Sequence, residues 1–255
     1  PRNYVANHTG FIPKGKRIAF ITMVLIILVI FCTVLCFFLL LPFIMLMLGF
    51  FVREKIPINE PYENAADFAC IITAFKNLEV PIPLVKSLLQ QKYDRFHVYV
   101  VADLCEQRDF SLESDRLTIL FPDKDLRSKV KSMKYAVDHF IRPHDKIIIF
   151  DPDNLVRTDF LEIINSYHQQ GFEFVQGDRV AKNTDTTYAR LDAAGEAYHN
   201  YADKFLPYLL GGSSPVSGSG MSIDATLFKK LLDDPMLDTS TNKVILGEDK
   251  IIQYL

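Results

Sequence analysis

The hydrophobic positions of the chain divide it into two parts. A single long apolar stretch lies near the N-terminus. Beyond residue 64, short apolar runs alternate with stretches in which apolar residues recur at helical spacing. Short runs without polar alternation are typical of strands buried on both faces of a parallel sheet. The predicted strands cover residues 68–74, 97–103, 117–121, 147–150 and 172–176. The predicted helices cover residues 84–91, 126–141, 158–169, 189–210 and 225–232, and a last helix follows residue 247. This alternation predicts an α/β fold with a mostly parallel sheet.

The apolar stretch covers residues 18–52, which are 35 residues without a charge. A helix of ~20 apolar residues crosses a bilayer, so we predict a transmembrane segment rather than a cleaved signal peptide. One crossing with a kinked or interfacial tail beyond Pro42 is favoured, because two crossings would need helices of about 17 residues with almost no turn. The predicted organisation is a polar segment (1–17), the transmembrane segment (18–52), a linker (53–66) and an α/β domain (67–255) that continues past Leu255.

The charge distribution excludes one class of partner and bears on orientation. The net charge is −3, so the chain lacks the basic footprint of a nucleic-acid-binding domain. More basic residues precede the apolar stretch than follow it, which favours a cytoplasmic N-terminus. The four cysteines show neither zinc-binding nor disulfide spacing, which is compatible with a reducing compartment.

Two carboxylates follow the most apolar of the predicted strands. Asp151 and Asp153 flank Pro152 directly after the run Ile147–Phe150. In an extended chain, residues two apart point to the same side, so both carboxylates are expected to face one spot. Open α/β sheets bind ligands at this end of their strands. Like charges at close range need a shared cation, and a hard divalent cation that bridges to phosphates fits best. The alternative explanation is an acidic turn after a buried strand.

Three further features occur in the predicted α/β domain. Asp103 ends the second predicted strand, a glycine-serine stretch covers Ser217–Gly220, and Glu248 and Asp249 open the last helix. Each has a simple explanation when taken alone: a strand-end acid, a turn, and acids that complement a helix dipole. Their order along the chain, together with the two carboxylates after the fourth strand, predicts a single site.

This ordered series resembles the GT-A glycosyltransferases of family 2, which include cellulose-synthase-like and hyaluronan-synthase-like membrane enzymes. The resemblance covers residues 67–255 and implies the GT-A fold, a Rossmann-like, mostly parallel sheet. No single motif is specific, and the series as a whole carries the resemblance. Its segments are Ile72–Phe75, Val100–Asp103, Lys129–Met133, Phe150–Asn154, Val175–Gly177 with Lys182-Asn183, Ser217–Met221 and Gly247–Asp249.

The resemblance implies where the nucleotide binds. Thr73 and Ala74 would lie against the base, and Asp103 would hydrogen-bond it. Lys129, or the neighbouring Lys131, would approach the diphosphate. Two positions differ from the usual family pattern: Lys76-Asn77 stands where Asn-Glu is common, and Leu104-Cys105 follows Asp103 in place of a second acid. Both differences concern nucleotide specificity.

The resemblance also implies where the chemistry takes place. Asp151 would hold the ribose-diphosphate, and Asp151 with Asp153 would bind Mg²⁺ or Mn²⁺. Asp249 would be the general base, with Glu248 beside it. A loop would line the donor-sugar and acceptor region at two glycines, Gly218 and Gly220.

These roles predict a membrane-bound inverting glycosyltransferase. It would move a sugar from a nucleotide-diphosphate donor, with uridine diphosphate favoured, to a glycan or lipid-linked acceptor, with polysaccharide synthesis as one use. A base that activates the acceptor hydroxyl for a single displacement predicts inversion at the anomeric carbon. Such donors are cytosolic in bacteria, so the domain is expected to face the cytoplasm at a bacterial plasma membrane, against the charge count.

Two alternatives stay open on the sequence. A phosphatase of the haloacid-dehalogenase type would form a phosphoryl-aspartate at Asp151 and would not need Asp249. A non-catalytic, membrane-tethered nucleotide-binding partner of another enzyme would need neither carboxylate for chemistry.

Overall fold

The computed structural model describes residues 14–51, 65–106, 110, 112–237 and 247–255. The chain forms two compact units, Pro1–Arg53 and Glu54–Leu255. Parts of three predicted segments lie outside the described residues: the N-terminal polar segment up to residue 13, residues 52–64 before the α/β domain, and residues 238–246 before the last helix.

The described part of the first unit forms one helix, α1, over Lys14–Phe51. Its part from Arg17 to Phe51 is 35 residues long, with a mean hydropathy of 3.4 and side chains that are not buried. Its length and composition make it a candidate membrane span. Pro42 lies inside the helix, and the residues that follow it up to Phe51 are helical as well.

The second unit contains a six-stranded sheet in the order β3-β2-β1-β4-β6-β5. The strands β1 to β4 pair in parallel, whereas β6 runs antiparallel to both of its neighbours. The mostly parallel sheet predicted from the apolar runs is therefore confirmed. The strands are β1 (Phe68–Phe75), β2 (Phe96–Asp103), β3 (Leu117–Leu120), β4 (Lys146–Phe150), β5 (Phe174–Gln176) and β6 (Met221–Asp224).

Helices connect the strands near the predicted positions. A π-helix, His199–Phe205, interrupts the region predicted as one helix over residues 189–210 and continues directly into α6. The helices are α2 (Ile82–Leu89), α3 (Lys129–Asp138), α4 (Phe160–Gln169), α5 (Thr187–Tyr198), α6 (Leu206–Leu209), α7 (Ala225–Leu232) and α8 (Glu248–Tyr254), with a short 3-10 turn at Pro235–Leu237.

The strand β6 was not predicted from the sequence. It has four residues, and its Ser222 is fully buried, so it lacks the continuous apolar run that identifies the other central strands. It adds the antiparallel strand between β4 and β5. The residues that precede it, including Gly218 and Gly220, are thereby brought beside the end of β4.

Two hydrophobic clusters cover the two faces of the sheet. Ala69 and Ile71 of β1 pack with α3 and α7, whereas Phe68, Cys70 and Ile72 pack with α2 and α4. Successive residues of a strand point to opposite faces, so a strand covered on both sides is apolar at most positions. This three-layer arrangement explains the unbroken apolar runs of β1, β2 and β4.

A buried polar network lies at the amino ends of the strands, where β1 begins. The Asp67 carboxylate contacts the His144 ring, and the His144 Nε2 atom lies 2.8 Å from the Tyr99 hydroxyl. Arg142 also reaches Asp67, at 3.0 Å. Because open α/β sheets bind ligands at the opposite edge, we assign these residues a structural role.

The buried His168 joins α4 to β6. Its Nε2 atom lies 2.7 Å from the Ser222 hydroxyl and its Nδ1 atom 2.6 Å from the Phe172 carbonyl. A carbonyl only accepts, so Nδ1 carries the proton and Nε2 accepts from the hydroxyl. Burial lowers the pKa of His168 to about 4.

We predict that acid destabilises the domain through this histidine. Between its ordinary pKa of 6.5 and the lowered value of about 4, the unfolded chain binds a proton that the folded chain does not. The free energy of unfolding should therefore fall as the pH falls through that window. Urea unfolding across the window should show a smaller pH dependence for His168→Gln. The exposed His199→Gln is the control, and an unchanged slope in the His168 variant would contradict the assignment.

Candidate active site

The carboxyl ends of β1, β2 and β4 lie at one edge of the sheet, because these strands are parallel neighbours. β2 ends at Asp103, and β4 ends at Phe150, immediately before Asp151. Ligands bind at this edge in open α/β sheets. The carboxylates that the sequence singled out after two separate strands thus start from the same edge.

Asp103 is buried, with 3% of its surface exposed. Its two carboxylate oxygens accept the backbone N–H groups of Leu126, at 2.9 Å, and Arg127, at 2.7 Å. Ser128 follows and caps α3, its hydroxyl oxygen accepting the Lys131 N–H. Asp103 therefore fixes the loop that begins α3. A nucleotide base would have to share this carboxylate with two backbone donors.

The Lys129 side chain joins three parts of the site. Its ammonium lies 2.8 Å from Asp151 Oδ1, 3.1 Å from the Gly218 carbonyl oxygen and 3.2 Å from Glu248 Oε1. Burial alone would lower the pKa of Lys129. The hydrogen bond and charge of Asp151, together with Glu248, outweigh burial and raise this pKa above its ordinary value. Of the two lysines considered for the diphosphate, Lys129 is the one that contacts Asp151.

The backbone turns sharply after Asp151. Pro152 and Asp153 form a turn in which the Asn154 N–H lies 3.2 Å from the Asp151 carbonyl oxygen. From the sequence, the two carboxylates are expected to face one spot because the chain would be extended there. The chain is not extended at this point, so that premise is wrong. Ser219 reinforces the turn: its hydroxyl oxygen accepts the Asp151 N–H at 2.9 Å and lies 3.0 Å from Asn154 Oδ1.

The two carboxylates have different surroundings. The Asp153 side chain is 66% exposed and lies 3.9 Å from the Lys182 ammonium, whereas the Asp151 side chain is 37% exposed and contacts Lys129. Within the described ranges, no group of three or more His, Cys, Asp or Glu side chains could hold a metal ion. A cation here would need ligands from the bound donor as well as from the protein.

The glycine-serine loop lies against the start of α8. Gly218 has a φ angle of +72°, and a Cβ atom at this position would lie 3.4 Å from Asp249 Oδ2. Gly220 has a φ angle of +67°, and its N–H donates to the Ile149 carbonyl oxygen at 2.8 Å. Positive φ angles strain other residues, so glycine suits both turns. Glu248 and Asp249 form the first turn of α8.

The end of β1 presents one aromatic ring that the sequence analysis did not select. Thr73 is half-buried and Ala74 is buried, whereas Phe75 is 52% exposed. The Lys76 ammonium lies 5.1 Å from the centre of the Phe75 ring. The peptide N–H of Lys76 donates to the Asp103 carbonyl oxygen at 3.0 Å. The aromatic residue directly after the Ile-Thr-Ala strand was the signal that could have identified it.

A cavity of about 1140 Å³ adjoins the site. Asp153, Ser219 and Gly220 line it on the side of the carboxylates. Aromatic side chains line other parts of it: Phe160, Tyr167, Phe172 and Tyr208. The volume and mixed lining are suited to an organic ligand of substantial size.

The comparison with known families agrees with this geometry. The family described as glycosyltransferase-like family 2 matches residues 65–255, which are 191 of the 255 residues. The chain belongs to this family. The match confirms the family that the sequence series predicts, and it favours glycosyl transfer over the phosphatase alternative.

Solved structures of glycosyltransferases are similar to this family 2 domain. The mannosyltransferase PcManGT from Pyrobaculum calidifontis, in complex with GDP-Man and Mn²⁺, is 16% identical with a TM-score of 0.51, and the match covers 75% of this chain and 55% of that one. S. aureus TarS 1–349 is 15% identical with a TM-score of 0.45, covering 72% and 53%. This family 2 chain thus spans about half the length of the mannosyltransferase and of TarS 1–349. No curated protein matches the chain in sequence. The family and the mannosyltransferase together confirm the predicted GT-A fold.

We predict that Asp103 is required for the position of α3. The Asp103→Asn substitution replaces one acceptor oxygen by a donor that faces a backbone N–H. The free energy of unfolding should fall by about 1–3 kcal/mol, the cost of an unsatisfied buried group. Urea unfolding of the purified chain measures the loss. The exposed Asp125→Asn in the same loop is the control, and equal effects of the two substitutions would contradict the role of Asp103.

Proposed function

We propose that this chain is a membrane-bound, inverting glycosyltransferase that uses a nucleotide-diphosphate sugar. The observation that carries the proposal is the contact of one ammonium, Lys129, with Asp151, with Gly218 and with Glu248. The end of β4, the glycine-serine loop and α8 are thereby parts of a single site. Each of these three segments belongs to the series by which the sequence resembles family 2.

The nucleotide would bind at the ends of β1 and β2. The exposed Phe75 ring offers a flat apolar surface for a base, and Thr73, Ala74 and Asp103 complete the proposed contact. Uridine diphosphate is the proposed nucleotide. A guanosine nucleotide is the second one to test, because the similar mannosyltransferase is in complex with GDP-Man.

A divalent cation would bind at Asp151 and Asp153. Both carboxylates are partly exposed, and their hard oxygen atoms suit Mg²⁺ or Mn²⁺, which commonly take further ligands from substrate phosphates and water. The two residues therefore fit such an ion. When bound, it would neutralise charge on the diphosphate leaving group. The similar mannosyltransferase is in complex with Mn²⁺.

Lys129 and Asp249 would divide the remaining chemistry. The raised pKa of Lys129 keeps its ammonium protonated at neutral pH, so it can stabilise the negative charge that grows on the departing diphosphate. Asp249 would take the proton from the acceptor hydroxyl as the hydroxyl attacks the anomeric carbon. Glu248 would hold the start of α8 to Lys129. One displacement from the side opposite the leaving group inverts the anomeric centre.

The acceptor would approach through the cavity beside Gly220. We propose a glycan or a lipid-linked glycan, because the cavity combines aromatic rings with polar groups. The helix α1 would anchor the chain in a membrane, with the catalytic domain over residues 67–255 on the cytoplasmic side, where nucleotide sugars are made in bacteria. Polysaccharide synthesis is one use of such an arrangement.

We predict metal-dependent binding of the nucleotide. Calorimetry of the chain with UDP should give binding with Mn²⁺ that disappears with EDTA. Asp153→Ala should raise the Kd for UDP in Mn²⁺ at least about tenfold, or about 1.4 kcal/mol. The exposed Asp138→Ala on α3 is the control and should bind as the wild type does. Binding of equal strength with EDTA would contradict the metal role. If UDP does not bind under any condition, GDP is tested in the same way.

We predict that Asp249→Asn separates transfer from binding. The amide cannot accept the proton, so transfer should fall at least about 100-fold, while the Kd for UDP in Mn²⁺ stays near that of the wild type. Turnover of UDP-sugars is measured by the release of UDP, with Asp138→Asn as the matched control. Wild-type turnover in the Asp249 variant would show that another group is the base.

A further inference from the structure

Gln176 is the last residue of β5, and its side chain hydrogen-bonds to the backbone of the glycine-serine loop. Its Oε1 atom accepts the Ser217 N–H at 3.0 Å. Its Nε2 atom donates to the Ser219 carbonyl at 2.8 Å and to the Gly177 carbonyl at 2.9 Å. One acceptor and two donors of the same amide are therefore in use.

The two loop residues that Gln176 binds are the neighbours of Gly218. The Gly218 carbonyl accepts from the Lys129 ammonium at 3.1 Å, and a Cβ atom at Gly218 would lie 3.4 Å from Asp249 Oδ2. Gln176 thus binds the residues on both sides of Gly218, which lies between the proposed diphosphate-binding lysine and the proposed base.

The other contacts of the loop run toward β4 and α8. On the β4 side, the Ser219 hydroxyl oxygen accepts the Asp151 N–H at 2.9 Å. On the α8 side, the Val216 N–H donates to Gln253 Oε1 at 3.1 Å, and the Val216 carbonyl accepts from the Lys250 ammonium at 2.6 Å. Gln176 supplies support from β5, and Lys129 of α3 donates to the Gly218 carbonyl, so the loop is held from four elements.

We propose that Gln176 is a positioning residue that fixes the distance between Lys129 and Asp249 through the Gly218 loop. The proposal rests on the proposed glycosyl transfer and deepens it. An amide suits this place because one group must both accept from a backbone N–H and donate to backbone carbonyls. An ionised carboxylate would set an oxygen against two carbonyl oxygens, and a thioether would leave the loop groups without their partner.

The test compares Gln176→Glu with the wild type and with Gln170→Glu. Gln170 is exposed at the end of α4, so the control makes the same chemical change away from the loop. Three quantities are measured on the full chain in detergent: hydrogen exchange of residues 213–222, the Kd for UDP with Mn²⁺, and turnover of UDP-glucose, UDP-galactose and UDP-N-acetylglucosamine by release of UDP.

The proposal predicts a split between binding and turnover. In Gln176→Glu, exchange at residues 216–220 should accelerate, the Kd for UDP should stay within about twofold, and kcat should fall at least about tenfold. The ratio of variant to wild-type turnover should rise as the pH is lowered. A protonated carboxyl regains one O–H donor and can again bridge the Ser217 N–H and the Ser219 carbonyl. A role in stability alone would lower thermal stability and turnover together, so thermal unfolding of the variant is measured at each pH.

Several outcomes would overturn the proposal. One is unchanged exchange in the loop. Another is faster exchange with unchanged kcat, and a third is a parallel loss of UDP affinity and thermal stability. If Gln176→Glu does not fold, Gln176→Met supplies the same exchange and kcat comparisons. A wild-type protein that binds neither UDP nor GDP and turns over no donor would refute the proposed function instead. In that case the exchange data would still report whether Gln176 holds the loop.

Discussion

One half-buried ammonium determines how the candidate site is assembled. Asp151 and Glu248 come from distant parts of the sequence, and two carboxylates near one another repel unless a cation lies between them. Lys129 supplies that cation and also binds the Gly218 carbonyl. The end of β4, the loop and the start of α8 are therefore held together by one charge. The raised pKa of Lys129 is the electrostatic consequence of the same contacts.

The position of Lys129 depends in turn on Asp103. This carboxylate binds two consecutive backbone N–H groups ahead of α3, and Ser128 then caps the helix whose first residue is Lys129. Asp103 therefore has a structural task in addition to the base contact that the family resemblance implies. If Asp103 also makes the proposed contact with the base, a substitution there would change that contact and the geometry of Lys129 together. Loss of binding alone would not separate these two roles.

The sequence predicted the layers of the fold better than the local geometry of the site. Strands that are covered on both faces are apolar at most positions, so β1, β2 and β4 could be predicted from their apolar runs. The strand β6 was not predicted because it is short and contains a buried serine, Ser222, whose hydroxyl hydrogen-bonds to His168 instead of to water. The turn at Pro152–Asp153 was not predicted either, because the spacing of two acidic residues does not determine the backbone conformation between them. Other contacts join segments that are distant in the sequence, so no local sequence pattern predicts them. These are the contacts of Lys129 with Gly218 and Glu248, and those of Gln176 with Ser217 and Ser219.

The hydrogen-bond donors of Lys129 are already in use, which affects the order of events in the proposed reaction. An ammonium has three N–H donors, and three oxygen atoms already surround this one: those of Asp151, of the Gly218 carbonyl and of Glu248. A diphosphate oxygen that accepts from Lys129 must therefore replace at least one of them. Displacement of Asp151 would expose its carboxylate to a cation, whereas displacement of Glu248 would release the start of α8, which carries Asp249. In these two cases, binding of the donor alters a group that is proposed to act in the reaction.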